Sequence, residues 1–209
     1  MCLMGNISIE SKVGGRIHVG SDVYAPTRVE LTLTGMEEIG ADVAAVLLLE
    51  GQRYVVQELR ITRQDDGAPI TSELIRGIRV QSLIPVAVRE SVELRIAEPS
   101  PKGTDRHRVT GVVLTPKERR RIVSAGPTDE TLLWVARIYV MAELAGEPPA
   151  KSVKENLDIP MPTAGNWIRR AKDRGILKQQ ATTVEPRPAQ PSLTVEQFRA
   201  LKASITEER

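Results

Sequence analysis

The sequence predicts a mixed α+β protein, with a β-rich N-terminal domain followed by an all-helical C-terminal one. Three observations carry that prediction. Residues 28–34, RVELTLT, alternate strictly, with Val29, Leu31 and Leu33 on one face and Arg28, Glu30, Thr32 and Thr34 on the other; this is the period of a half-buried strand. Residues 115–118, TPKE, open a run of helix-start and helix-stop signals. Further on, Ala164, Trp167, Ile168 and Ala171 fall at i, i+3, i+4 and i+7, a single apolar stripe along a helix.

The β-rich domain, residues 1–114, is read in order. Residues 12–22, KVGGRIHVGSD, hold three glycines without the spacing of a phosphate-cradling loop and read as a tight turn. The strand at 28–34 is followed by VAAVLLLE, 43–50, a continuous apolar run suited to a strand buried on both faces. EGQR turns the chain, and YVVQELRIT, 54–62, runs on as another strand. QDDGAP, 64–69, is turn chemistry, with Asp65 and Asp66 at a hairpin tip. Residues 72–91 read as helical, interrupted at Gly77 and Pro85. VELRIA, 92–97, alternates again; 97–106 reads as a loop and 107–114 as a last strand.

The helical domain spans 115–180. Thr115 is the N-cap, Pro116 takes the first helical position and Glu118 closes a capping box. The short helix carries Lys117, Arg119, Arg120 and Arg121 and ends near 125–127. Thr128 caps a long helix, with Asp129 and Glu130 set against the positive end of its dipole, and Gly146 stops it. A helix over 149–157 buries Val153 and Leu157; residues 158–160 turn the chain; a helix over 162–174 ends before Gly175. Residues 181–192 form a proline-rich linker, and within 193–209 Thr194 and Gln197 start a final amphipathic helix over 195–206.

Composition narrows the functional classes. Of 209 residues, 41% are hydrophobic and only six are aromatic, so the core is aliphatic. One cysteine, Cys2, precludes an internal disulfide and fits a reducing, cytoplasmic setting. No apolar run approaches the roughly 18 residues of a membrane span, and no signal peptide is evident; Met4 is a possible alternative start. The net charge of +2 is uneven: residues 1–114 hold 13 cations against 15 anions, whereas 115–180 hold 12 against 8. A basic segment in an otherwise neutral chain is the footprint of a nucleic-acid reader.

The helix pair at 149–174 divides its labour as a helix-turn-helix does. Trp167 anchors the second helix in a core, and the outward side is compact at Thr163, Gly165 and Asn166 and basic at Arg169 and Arg170. Compact residues let the backbone approach base edges in the major groove. Asparagine can pair with adenine and arginine with guanine. Thr163, Asn166, Arg169 and Arg170 are the candidate groove residues; Lys172, Arg174 and Arg119, Arg120 and Arg121 are the candidate phosphate contacts. A basic outer face on a short helix is more often ordinary solvated surface.

The segment Val135-Ala136-Arg137-Ile138-Tyr139, Gly146-Glu147-Pro148-Pro149, Val153, Leu157, Ile159, Thr163-Ala164, Trp167-Ile168 and Ala171-Lys172-Asp173-Arg174-Gly175-Ile176-Leu177 resembles a helix-turn-helix common in uncharacterised proteins of actinomycetes and their phages. The resemblance covers residues 135–177, a fifth of the chain. It departs at Pro160 and Pro162, where small or basic residues are usual, and at Gly165; the departures bear on base reading more than on fold. The resemblance implies DNA binding and supplies no target site.

With His18, His107 and Cys2 the only histidines and cysteine, no spaced metal-ligand set and no cofactor motif is present. Ala-Gly bonds lie in SAGP and LAGE, yet no Ser/Lys protease segment accompanies them. The expectation is a non-enzymatic protein that binds double-stranded DNA in a sequence-selective manner. It would be a transcriptional regulator of an actinomycete, phage or plasmid, acting as a homodimer. The N-terminal domain would dimerise or hold a protein partner. Two rivals stand: an interaction or assembly protein whose helix-turn-helix is structural, and a metal-dependent nuclease built from scattered acids in the β-rich half.

Overall fold

The computed structural model describes residues 8–34, 40–64, 67, 69–100, 103–110 and 114–177. The readings at Asp65–Asp66, 181–192 and 193–209 lie outside the described residues. The architecture is an N-terminal antiparallel β region followed by helices, a mixed α+β arrangement.

One long hairpin, bent in the middle, builds both sheets. Strand β1 (Ser8–Val13) pairs with β4 (Arg28–Thr34) in one sheet, and β2 (Arg16–Gly20) pairs with β3 (Val23–Pro26) in the other. The bend lies at Gly14, Gly15 and Thr27, where Gly14 N–H donates to the Arg28 carbonyl at 2.9 Å and Thr27 N–H to the Gly15 carbonyl at 2.8 Å. The hairpin tip, Gly20, Ser21 and Asp22, has positive φ at all three residues. Thus the glycines of 12–22 serve two separate turns, a strand corner and a hairpin tip.

Strands β5 (Ala41–Glu50) and β6 (Arg53–Arg63) complete the first sheet in the order β1-β4-β5-β6. Strands β7 (Glu93–Ser100) and β8 (Gly103–Thr110) complete the second in the order β2-β3-β7-β8. All pairings are antiparallel. β5 corrects the sequence reading. It alternates buried and half-buried residues rather than burying both faces, because packing covers only the side of Val43, Ala45, Leu47 and Leu49. The region read as a loop at 97–106 is mostly strand: Ala97 pairs with Arg106 and Pro99 with Thr104. β3 pairs with β7 only at Glu93 and Leu94. Next to them the Arg95 N–H donates to the Asp22 carbonyl at 3.0 Å, and past that no strand among the described residues pairs with this edge of β7; an edge strand is where a proline's missing donor is tolerated.

Gly67 closes the turn after β6. Its N–H donates to the Gln64 carbonyl at 3.0 Å, and a Cβ there would run into the Gly40 carbonyl oxygen. Helix α1 (Ser72–Gly77) is short and buries no residue. A 3-10 turn, Val80–Ser82, leads into α2 (Leu83–Ser91). Pro85 is the third residue of α2 and no interruption, since first-turn N–H groups need no intrahelical acceptor. α2 touches strands of both sheets and buries Leu83, Ile84, Ala87 and Val88. Tyr54 reaches the same interior; its hydroxyl donates to the Pro26 carbonyl at 2.6 Å, and burial raises its pKa.

Four further helices follow: α3 (Pro116–Ser124), α4 (Asp129–Ala145), α5 (Pro149–Leu157) and α6 (Met161–Asp173). The capping box of Thr115 and Glu118 is formed in both directions. Thr128 caps α4, and Gly146 ends it at φ 70°. Thr128→Ala is therefore expected to cost about 1 kcal/mol, the worth of one N-cap, measurable as a lowered denaturant midpoint; an unchanged midpoint would contradict the cap.

α4 is the hub. It packs on the helices α3, α5 and α6 and also on α2, β2, β3 and β6, and eleven of its 17 residues are buried. A helix apolar nearly all round is one enclosed by neighbours. The buried residues form one cluster running from the sheets into the helices. Among the described residues, no helix is long and apolar enough to cross a membrane.

Candidate nucleic-acid interface

The site begins with the turn between α5 and α6. Asp158 adopts a left-handed conformation at φ 55° and Ile159 N–H donates back to the Lys154 carbonyl at 3.1 Å, closing α5. Ile159 is buried, and Pro160, at φ −61°, starts α6. Pro162 sits in the first turn, where it removes no needed donor.

α4, α5 and α6 pack mutually, each touching the other two. α6 turns Ala164, Trp167, Ile168 and Ala171 inward, the stripe seen in the sequence. Val153 and Leu157 of α5 are buried opposite. The outward side of α6 presents Met161, Pro162, Gly165, Asn166, Arg169 and Arg170, all exposed. Thr163 is half-buried. A Cβ on Gly165 would meet only open space, so no packing demands the glycine and that part of the face is bare backbone.

The nine residues singled out in the sequence fall into different environments. Arg169 donates to the Asn166 Oδ1 at 3.3 Å. Arg170 is exposed and unpaired with any acid among the described residues. Lys172 extends over Tyr139, its Nζ 5.0 Å from the ring centre and 3.5 Å from the hydroxyl oxygen. Arg174 pairs with Asp129 at 2.6 Å. Arg121 pairs bidentately with Glu130 at 2.7 and 3.1 Å. Arg120 is exposed, and Arg119 is half-buried with its Nε shielded from solvent and without a hydrogen-bond partner among the described residues.

The first turn of α4 thus draws in two of the cations. Asp129 and Glu130 were read as acids placed against the helix dipole; in the fold they also hold Arg174 and Arg121. The Arg121 hydrogen bond holds the Glu130 carboxyl below its usual range, and Glu130 in turn raises Arg121. The Thr115 hydroxyl and N–H do the same to Glu118. Both carboxyls titrate lower folded than unfolded. Their contribution to stability is therefore present above the ordinary value of 4.5 and lost as pH falls through the lowered folded values. Acid unfolding should steepen below that pH, and Glu118→Gln/Glu130→Gln should flatten it. Identical acid limbs in the two proteins would refute the assignment.

Two features of this region escaped sequence reading. Met161 stands 44% exposed at the tip of α6. Arg137, part of the Val-Ala-Arg-x-Tyr run, is buried in α4 and donates to Asp22 at the β2–β3 tip at 2.8 Å. Its guanidinium lies 4.7 Å from the Trp134 ring centre. Beside it, the Ser21 hydroxyl donates to the Ile176 carbonyl at 3.4 Å. The second sheet therefore holds the chain just past the end of α6. No signal within either short stretch names the other. Comparison with protein-family models, with curated proteins and with solved structures finds no match to this chain.

Proposed function

We propose that α5, its turn and α6 form a helix-turn-helix that binds double-stranded DNA sequence-selectively, with α6 in the major groove, and that the protein is a transcriptional regulator. The observation that carries this reading is the division of α6. Its apolar stripe is buried against α4 and α5, while Asn166, Arg169 and Arg170 face outward with no acid neutralising them among the described residues. Arg120 and Lys172 are the phosphate contacts with freest charge; Arg121 and Arg174 would have to trade an acid for a phosphate, and Arg119 is partly enclosed. A homodimer would place two such helices on a two-fold site, with the β-rich half as the dimerising or partner-binding part.

The test is fluorescence anisotropy with duplex DNA over a salt series. Intact protein should bind, with affinity falling steeply as salt rises. Arg169→Ala/Arg170→Ala should lose at least about 2 kcal/mol of specific affinity, since a good base contact is worth roughly 1–3 kcal/mol, without a change in melting temperature. Absence of any binding at about 50 mM salt, where phosphate contacts alone should register, would overturn the reading. The second reading is a protein-interaction or assembly role in which the helix-turn-helix is structural, with the exposed Met161 at the tip of α6 as its candidate contact. Under it, Met161→Glu would abolish partner capture while Arg169→Ala/Arg170→Ala would not.

A further inference from the structure

We propose that Asn166 and Arg169 act as one hydrogen-bonded unit that selects guanine, so that target duplexes carry guanine and not adenine beneath the middle of α6. This rests on α6 being the groove helix. The two residues lie one helical turn apart on the exposed side, with Arg169 Nη2 donating to Asn166 Oδ1 at 3.3 Å.

Adenine in the major groove offers an N7 acceptor and an N6 donor; guanine offers two acceptors, N7 and O6. An asparagine that reads adenine must aim both its oxygen and its amide nitrogen at the base. Here the oxygen is turned along the helix to Arg169, which leaves the Asn166 amide N–H groups and the remaining Arg169 N–H groups facing outward. The groups that the unit turns outward are therefore mainly donors, with the Asn166 oxygen already engaged by Arg169 through one of its two lone pairs. Among its neighbours, Gly165 has no side chain, Met161 and Pro162 are apolar and Arg170 is a donor; the Thr163 hydroxyl, half-buried one turn earlier, can donate as well as accept. The carboxylate on this helix, Asp173, lies at its far end. Holding Arg169 by Asn166 also sets the guanidinium before contact, so less rotamer freedom is lost on binding.

The experiment selects sites from random duplexes with the full chain and then measures competitors. The selected site should hold a guanine whose preference falls several-fold in Asn166→Ala and Arg169→Ala, at the same base pair in both. Replacing that guanine with 7-deazaguanine, which lacks the N7 acceptor, should weaken binding about tenfold, the scale of one specific base contact. Replacing it with inosine, which keeps N7 and O6, should leave binding unchanged. Adenine at the position that Asn166→Ala relaxes would overturn the inference, as would equal affinity for 7-deazaguanine. Binding to every duplex without base preference would also overturn it, while leaving duplex binding in place. Failure to bind any duplex at low salt would instead remove the groove helix on which it rests.

Discussion

Trp167→Ala is expected to destabilise the protein by about 3–5 kcal/mol, the range for deleting a large buried aromatic. Trp167 is 8% exposed and sits on the stripe of α6 that packs against α4 and α5. Ala164 and Ala171, on either side, are fully buried and too small to fill the space it would leave. α6 depends on this packing, since it is 13 residues long and contains Gly165, and helices of this length are marginal without tertiary contacts. Urea unfolding measures the loss. A change under about 1 kcal/mol would mean that the tryptophan is not the anchor of the helix. Under the proposed DNA-binding function, duplex binding should fall with it, in contrast to Arg169→Ala/Arg170→Ala, whose effect leaves stability intact. Comparing the two separates the scaffold of α6 from its outer face.

The second large effect is expected from Asp22→Asn, about 3 kcal/mol, the lower end for breaking a buried ion pair by removing one partner. Arg137 keeps only 5% of its side chain exposed, whereas Asp22 keeps 47%. Removing the acid strands a buried cation, while water near Asp22 moderates the loss. Asparagine is the substitution of choice because residue 22 has φ 62°, a conformation asparagine tolerates. The backbone of Asp22, whose carbonyl accepts from the Arg95 N–H at 3.0 Å, is then left undisturbed. Adding Arg137→Met should restore part of the lost stability by removing the stranded charge. If the double variant is no more stable than Asp22→Asn, the two residues are not coupled. The pair is one of the links that fasten the β region to the hub helix.

Much of this fold was legible locally. The alternation of RVELTLT, the caps at Thr115 and Thr128, the stops at Gly146 and Gly175 and the stripe of Ala164, Trp167, Ile168 and Ala171 all stand in the structure as read. Each is encoded within a few residues, because a pleat or a helical turn is set by immediate neighbours. The outward placement of Asn166, Arg169 and Arg170 follows from the same periodicity once the buried stripe is known.

What tertiary structure alone decided is which distant pieces meet. Whether β1 and β2 share a sheet depends on the corner at Gly14, Gly15 and Thr27, and the sequence pattern of either strand is the same in both cases. β5 alternates because, among the described residues, its two faces are covered to different extents, a property of its surroundings. Arg121, Arg174 and Arg137 looked alike in the sequence as basic residues of a basic domain. The packing of α3, α4 and α6 gives two of them acids from the first turn of α4, and the third is claimed by Asp22, 115 residues away. Charge type is written in the residue, but charge pairing depends on separation in space, and only the packed fold sets that separation.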